Sequence, residues 1–185
     1  MMPLGISKIN AGIQLKLPIG LKMRYEYAPW RTEYVAGGKN GGCVFCDIST
    51  NPQNDIENQV LYRDEICFVV MNKYPYSPGH FMIIPHFHTN ALEELPPHHW
   101  VHIATLAQKG VAALKEAFLC GGVNIGMNLG EAAGAGIAEH IHLHLLPRWH
   151  RDTNFITTIG ESRVYSVDFE NIYEKIKQAF LEKIN

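Results

Sequence analysis

The chain predicts an antiparallel α+β domain, and three observations carry that assignment. Several short apolar stretches alternate with a two-residue period. Two longer stretches repeat every three to four residues. Their order is paired strands, helix, paired strands, helix, without the regular strand–helix–strand alternation of a parallel sheet.

The chain has 185 residues, 46% of them apolar. That suits one globular domain able to offset the entropy of ordering its backbone. Residues 1–22 read as an N-terminal extension and residues 23–185 as the domain, with Met23 a second candidate start. The apolar runs of the extension are broken by Asn10, Gln14, Pro18 and Gly20, so it lacks the continuous apolar region of a secretory signal. A net charge of -2 argues against a duplex nucleic acid as partner, and no apolar run is long enough to span a membrane. Four cysteines in a chain of this length do not form a disulfide scaffold, so a cytoplasmic protein is expected.

In chain order, Gly37, Gly38, Gly41 and Gly42 lead into Cys43-Val44-Phe45-Cys46. Val60 to Arg63 and Ile66 to Met71 are β-branched or aromatic runs joined by Asp64-Glu65, a hairpin. Asn72 to Gly79, with two prolines, is a loop, and the apolar run Phe81 to Pro85 is a buried strand. From Leu95 to Leu119 the period changes. Pro96 and Pro97 suit a first helical turn, and Ile103, Ala107, Val111, Leu114 and Phe118 make one stripe, ending near Gly121-Gly122. Val123, Ile125 and Met127 alternate with polar or small residues as a half-buried strand would. Gly130 to Gly136 is a small-residue loop, Glu139 to Pro147 a further strand, and Phe169, Ile172, Ile176 and Phe180 a closing helix capped by Asp168.

The segment His140-Ile141-His142-Leu143-His144-Leu145-Leu146 is the most informative. Side chains two apart on a strand share a face, so three imidazoles line one surface and three aliphatic side chains the other. Such a surface could supply metal ligands, phosphate binders or nucleophiles. Three ligands on one strand would have to bend around a single ion, which favours a nucleotide-phosphate site.

These residues resemble the histidine-triad (HIT) signature, His-x-His-x-His followed by hydrophobic residues. Asn72-Lys73-Tyr74-Pro75-Tyr76-Ser77-Pro78-Gly79-His80 resembles the loop before that family's central strand, and Asn128 to Gly134 its phosphate-side loop. Tyr27 to Arg31, Pro147 to Trp149 and Asp152 to Phe155 resemble the branch of diadenosine tetraphosphate phosphorylases and hydrolases.

The resemblance implies a HIT-like fold: an antiparallel five-stranded sheet with two main helices, continuous across a homodimer paired through the central helix and an edge strand. It implies cleavage of dinucleoside polyphosphates through a nucleotidyl-histidine intermediate, with His142 as the nucleophile. His144, Asn128 and the loop around Gly134 and Gly136 would hold the phosphate. Asn72 would reach the ribose, or else only close an Asx turn before Pro75. Many family members place Gln or Ser just before the triad, where this chain has Ala135-Gly136-Ile137-Ala138 in a loop one residue longer. The phosphate would then be held by backbone, in a roomier site that favours orthophosphate over water as second acceptor. A nucleoside phosphoramidase or general nucleotide hydrolase, and a nucleotide-binding module with little catalysis, are the rival readings.

Cys43-x-x-Cys46 alone is ambiguous among zinc, redox chemistry and coincidence. In some family members a Cys-x-x-Cys joins a histidine after the central strand and the first triad histidine around zinc. By that resemblance Cys43, Cys46, His88 and His140 form a closed structural zinc site. Cys67 and Cys120 read as core residues, and His98, His99 and His102 as solvated. His80 reads as a structural hydrogen bonder, while Arg148 and His150 lie where a polyphosphate tail could be gripped.

Overall fold

The computed structural model describes residues 42–153 and 171–184. The N-terminal extension, the Tyr27–Arg31 segment, Asn154, Phe155, Asp168 and Phe169 lie outside the described residues. The elements are α1 (Val44–Thr50), β1 (Val60–Arg63), β2 (Cys67–Met71), β3 (Phe81–Pro85), α2 (Pro97–Phe118), β4 (Gly122–Gly126), β5 (Leu143–Arg148) and α3 (Ile172–Ile184). All strands pair antiparallel in the order β1-β2-β3-β5-β4. This is the five-stranded sheet with two main helices that the sequence predicts, plus one short helix.

The sheet has two different faces. One packs against α2 and α3 through Val69, Phe81, Ile83, Leu143, Leu145, Leu114 and Phe180, and Ile141 joins that core. The other carries Phe68, Val70, Met82 and Ile84, covered by Phe45 of α1. His144 lies opposite Met82 in the β3–β5 register, with Leu143 opposite Ile83 and Leu145 opposite Phe81. The period-two alternation therefore sorts histidines and aliphatics onto opposite faces.

Helix α2 starts at Pro97, whose missing N–H costs nothing at that position. It stops at Phe118 rather than at the glycines, because Leu119 turns left-handed (φ 49) and the Trp149 indole N–H donates to the Phe118 carbonyl, 3.2 Å away. Gly110 lets it approach the sheet: a Cβ there would lie 2.9 Å from Phe81 Cζ and 3.0 Å from Leu145 Cδ2.

Four boundaries or exposures differ from the sequence reading. β5 begins at Leu143, not Glu139, because the ladder with β3 ends at the Ile83–Leu143 pair. His140 to His142 therefore form a lead-in without ladder pairing. Val111 is only half-buried, and the buried stripe of α2 runs through Ile103, Leu106, Ala107, Gly110, Ala113 and Leu114. Ile125 is 50% exposed, since β4 is an edge strand and this side chain borders an open apolar groove beside α2. Finally, Cys43, which the sequence leaves without an element after the glycine stretch, is the N-cap of α1.

A seven-residue helix is too short to persist alone, so α1 needs tertiary anchors. Arg63 supplies one. Its guanidinium donates to the Ile48 and Ser49 carbonyls at 2.9 and 3.0 Å, satisfying the helix C-terminus, while Asp55 grips it from the other side at 2.6 and 3.0 Å. His86 supplies another. Its Nε2–H donates to the Asp64 carbonyl (2.9 Å), so its Nδ1 accepts the Ser49 hydroxyl (2.6 Å). Burial of Phe45 adds the third.

Candidate functional site

His140, His142 and His144 are all buried on the face away from α2 and α3. Their hydrogen bonds assign their protons. His142 Nδ1 lies 2.8 Å from the His140 carbonyl, which can only accept, so Nδ1 carries the hydrogen and Nε2 keeps its lone pair. Among the described residues nothing bonds Nε2, and it is not sealed from solvent. Burial lowers the pKa of His142 from its ordinary 6.5, so the ring stays neutral near pH 7. The Phe45 ring packs on it at 5.1 Å between centroids.

His80 is the residue whose role the sequence underestimates. It is fully buried. Its Nδ1 accepts the Tyr76 amide hydrogen (3.3 Å), which leaves the proton on Nε2, and Nε2–H donates to His144 Nδ1 at 2.9 Å. His144 must then carry its own proton on Nε2, as a donor. Burial, then the neighbouring imidazoles, push His80 down to about 3; burial, then His142, push His144 down to about 4. Tyr76 stacks on His80 with centroids 5.0 Å apart. The sequence signal was present in a histidine entering the central strand four residues after Tyr76, but only the fold reveals that β3 lies beside β5.

The second cluster joins α1 to the lead-in of β5. Cys43 Sγ lies 3.3 Å from His140 Nδ1, Cys46 Sγ 3.7 Å from the same atom and 3.1 Å from His88 Nδ1, and the two Nδ1 atoms are 3.3 Å apart. A tetrahedral zinc with N and S ligands needs donor atoms roughly 3.3–3.8 Å apart. His140 donates Nε2–H to the Pro85 carbonyl (2.9 Å), so its Nδ1 turns a lone pair into the cluster. Burial, then the Cys43 thiol beside it, push Cys46 up to about 11, so its thiol keeps its proton near neutral pH. The donor set fits a closed Cys₂His₂ zinc site.

The loop before the triad turns at Gly130 (φ 81) and Gly134 (φ 87). The amides of Ala133, Gly134 and Ala135 are spent inside it, on the Gly130 and Glu131 carbonyls. The amides of Gly136, Ile137 and Ala138 have no backbone acceptor among the described residues. An anion would meet Gly136 to Ala138, with Gly134 shaping the turn. Asn128, at half-burial, opens this loop. Asn72 Oδ1 accepts the Tyr74 amide hydrogen (2.8 Å), an Asx turn that supports the loop under His80.

Other sequence expectations meet their partners here. Cys67 and Cys120 are buried, as predicted. His102 is not simply solvated: its Nε2 lies 2.6 Å from Asp64 Oδ2, tying α2 to the hairpin turn. Arg148 is held by Asp152 at 2.6 and 2.8 Å and by Asn124 at 2.9 Å, so its charge is already compensated. Among the described residues no helix is long and apolar enough to cross a membrane.

Comparison with known proteins agrees with this geometry. An AP-4-A phosphorylase of Mycobacterium tuberculosis is 40% identical over 111 residues, 60% of this chain and 57% of that protein. A bis(5'-nucleosyl)-tetraphosphatase (asymmetrical) of Schizosaccharomyces pombe is 30% identical over 97 residues, 52% of this chain and 53% of that protein. The matches thus span little more than half the length of these relatives. A zinc-bound histidine triad family protein of Mycobacterium smegmatis superposes with a TM-score of 0.62 at 31% identity, covering 76% of this chain and 94% of that one. The HIT domain family model matches residues 53–151, from just after α1 to beyond the triad. With the histidine geometry and the sheet order in agreement, the chain belongs to the HIT domain family.

Proposed function

We propose that the protein cleaves dinucleoside polyphosphates, diadenosine tetraphosphate being the reference substrate, by attack of His142 Nε2 on an α-phosphorus. The observation that carries this is the bond from His142 Nδ1–H to the His140 carbonyl, which leaves the other nitrogen neutral, without a partner among the described residues, and nucleophilic. Attack forms a nucleotidyl-histidine and splits one displacement into two. His144 Nε2–H, kept a donor by His80, stabilises the phosphoryl oxygens or protonates the leaving group. The Gly136 to Ala138 amides hold the remaining negative charge, Gly134 shapes their loop, and Asn128 and Asn72 border the nucleotide.

Zinc is the metal proposed for Cys43, Cys46, His88 and His140. With four protein ligands it has no open position, so it supplies structure, fixing the strand lead-in from which His142 projects. The zinc bound by the similar Mycobacterium smegmatis protein supports this.

A homodimer is proposed through α2 and β4. An apolar groove of about 390 Å³ between them, lined by Trp100, Ala104, Val111, Ile125 and Leu143, supports that pairing. A second copy's groove and edge strand would cover the exposed Ile125.

Orthophosphate is favoured as the second acceptor, because the pre-triad loop has no side chain to crowd it and the phosphorylase is the more similar relative. Incubation with diadenosine tetraphosphate, with and without orthophosphate, tests the reading. ADP plus ATP formed only with phosphate identifies a phosphorylase, and AMP plus ATP a hydrolase. No turnover with tight adenylate binding would replace both with a binding module.

A further inference from the structure

We propose that Cys43 and Cys46 are also a redox site, whose oxidation to a disulfide by a peroxide switches off nucleotide cleavage at His142; this rests on the reading of His142 as the attacking group. The two cysteines are the half-exposed N-cap and the third residue of α1, while Cys67 and Cys120 are buried in the core. An oxidant in solution therefore meets this pair first. Within a cation-loaded cluster both sulfurs are thiolates, the form that attacks peroxide.

The step balances without a further reactant. One thiolate attacks a peroxide oxygen, the O–O bond breaks, and a sulfenic acid and hydroxide form. The second sulfur attacks that sulfenic sulfur, the S–S bond forms, and a second hydroxide leaves. Two electrons pass from sulfur to peroxide, and protons from solvent complete two waters.

Geometry links this chemistry to the nucleophile. A disulfide brings the sulfurs to about 2.05 Å. Cys43 Sγ now lies 3.3 Å from His140 Nδ1, and Cys46 Sγ 3.1 Å from His88 Nδ1 and 3.7 Å from His140 Nδ1. Closing the bond withdraws two of the four donors, and the cation loses the thiolate charge that retains it. Phe45 stands between the cysteines in the chain, and its ring touches both His140 (5.6 Å between centroids) and His142 (5.1 Å). A shift of the first turn of α1 on closure would be passed through that ring to both histidines. His140, released on its Nδ1 side, bears the carbonyl that holds the His142 proton in place. One oxidation thus disturbs both supports of the nucleophile.

The experiment treats the zinc-loaded full chain with hydrogen peroxide and reads four quantities. They are the Cys43–Cys46 disulfide by peptide mass mapping, zinc release to a chromogenic chelator, the His142 ring by nitrogen-15 spectra, and diadenosine tetraphosphate cleavage. The expected result is a Cys43–Cys46 disulfide, loss of the bound zinc, loss of the fixed Nδ1–H signature of His142, and cleavage slowed at least about tenfold. Dithiothreitol and zinc should reverse all four changes. A disulfide with unchanged His142 spectrum and rate overturns the proposal, as does failure of the pair to oxidise or an inhibition that reductant does not reverse. Cys46→Ser, which also removes a zinc donor and so starts from slower cleavage, should form no disulfide with Cys43 and lose no further rate to peroxide; the mapping of the unaltered chain decides the matter even where that variant does not fold. Should the untreated protein cleave no dinucleotide, the functional reading fails, while the disulfide, zinc and spectral readouts still judge the coupling.

Discussion

His80 donates its Nε2 hydrogen to His144 Nδ1 across 2.9 Å, and the Tyr76 amide fixes the opposite nitrogen of His80. Two neutral rings therefore have a single arrangement of protons, decided by one backbone amide. His142 is aligned independently, by the carbonyl two residues before it. The site holds a ready base and a ready donor side by side, with ring centroids 4.8 Å apart.

Replacing His142 tests the nucleophile. His142→Ala should lower kcat by at least about a thousandfold, as removal of an attacking group does elsewhere. Brief mixing of the unaltered protein with substrate should trap a chain heavier by one nucleotidyl group, and the variant should give none. Normal turnover by the variant would end the covalent mechanism.

The His80 relay predicts a different pattern. His80→Ala should reduce kcat about a hundredfold with little change in KM, because it removes the constraint on a proton donor rather than a substrate contact. His80→Gln, whose amide can still donate to His144, should recover part of the loss. Equal damage by both substitutions would reduce His80 to a packing residue.

Acid should destabilise the fold within a defined window. Unfolded histidines take up protons near pH 6.5, whereas folded His144 waits until about 4 and folded His80 until about 3. In between, the unfolded chain binds more protons, so stability falls as the pH drops below about 6.5. The His144 contribution is fully lost near 4 and the His80 contribution near 3; above 6.5 neither adds pH dependence. Urea midpoints at about pH 7.5 and 5 should differ less in His80→Gln than in the unaltered protein, and identical slopes would contradict this.

Metal removal should lower stability more than it disturbs secondary structure. With zinc about a thousandfold above its Kd, stripping it should lower Tm by about 10 °C. Elemental analysis should find one zinc per chain in the unaltered protein and little in His88→Ala. A full complement of zinc in that variant would show that the four residues do not form one centre.

Ile125→Asp tests the groove. The residue is half-exposed in the single chain, so an aspartate stays solvated there and the fold is spared. Sedimentation velocity should show a dimer for the unaltered protein and a monomer for the variant, with matching circular dichroism. A monomeric unaltered protein, or a variant that still pairs, would reject the α2–β4 interface.

Much of this fold is legible from periodicity. The hairpin of β1 and β2, the β3 strand and the long α2 all follow from alternation, turn residues and a helical stripe. Helix α1 is not legible, because seven residues hold too few turns to display a period, and its anchors, Arg63 and His86, come from far along the chain. The start of β5 is also hidden: His140 to Leu145 alternates throughout, yet the ladder between β3 and β5 ends at the Ile83–Leu143 pair. The triad face and the Cys/His set were readable as patterns. The proton assignments were not, since they depend on which carbonyl or amide each ring meets.

The grip of Arg63 on the Ile48 and Ser49 carbonyls bears on metal supply. It is made wholly of protein groups and lies at the end of α1 remote from Cys43. Were the proposed zinc lost, the ligand-bearing helix would thus stay moored, with two thiols and two imidazoles still facing one another. Refilling would then be a local capture event rather than a refolding reaction, and scarcity in the surroundings would be answered by fractional loading of a still-folded population.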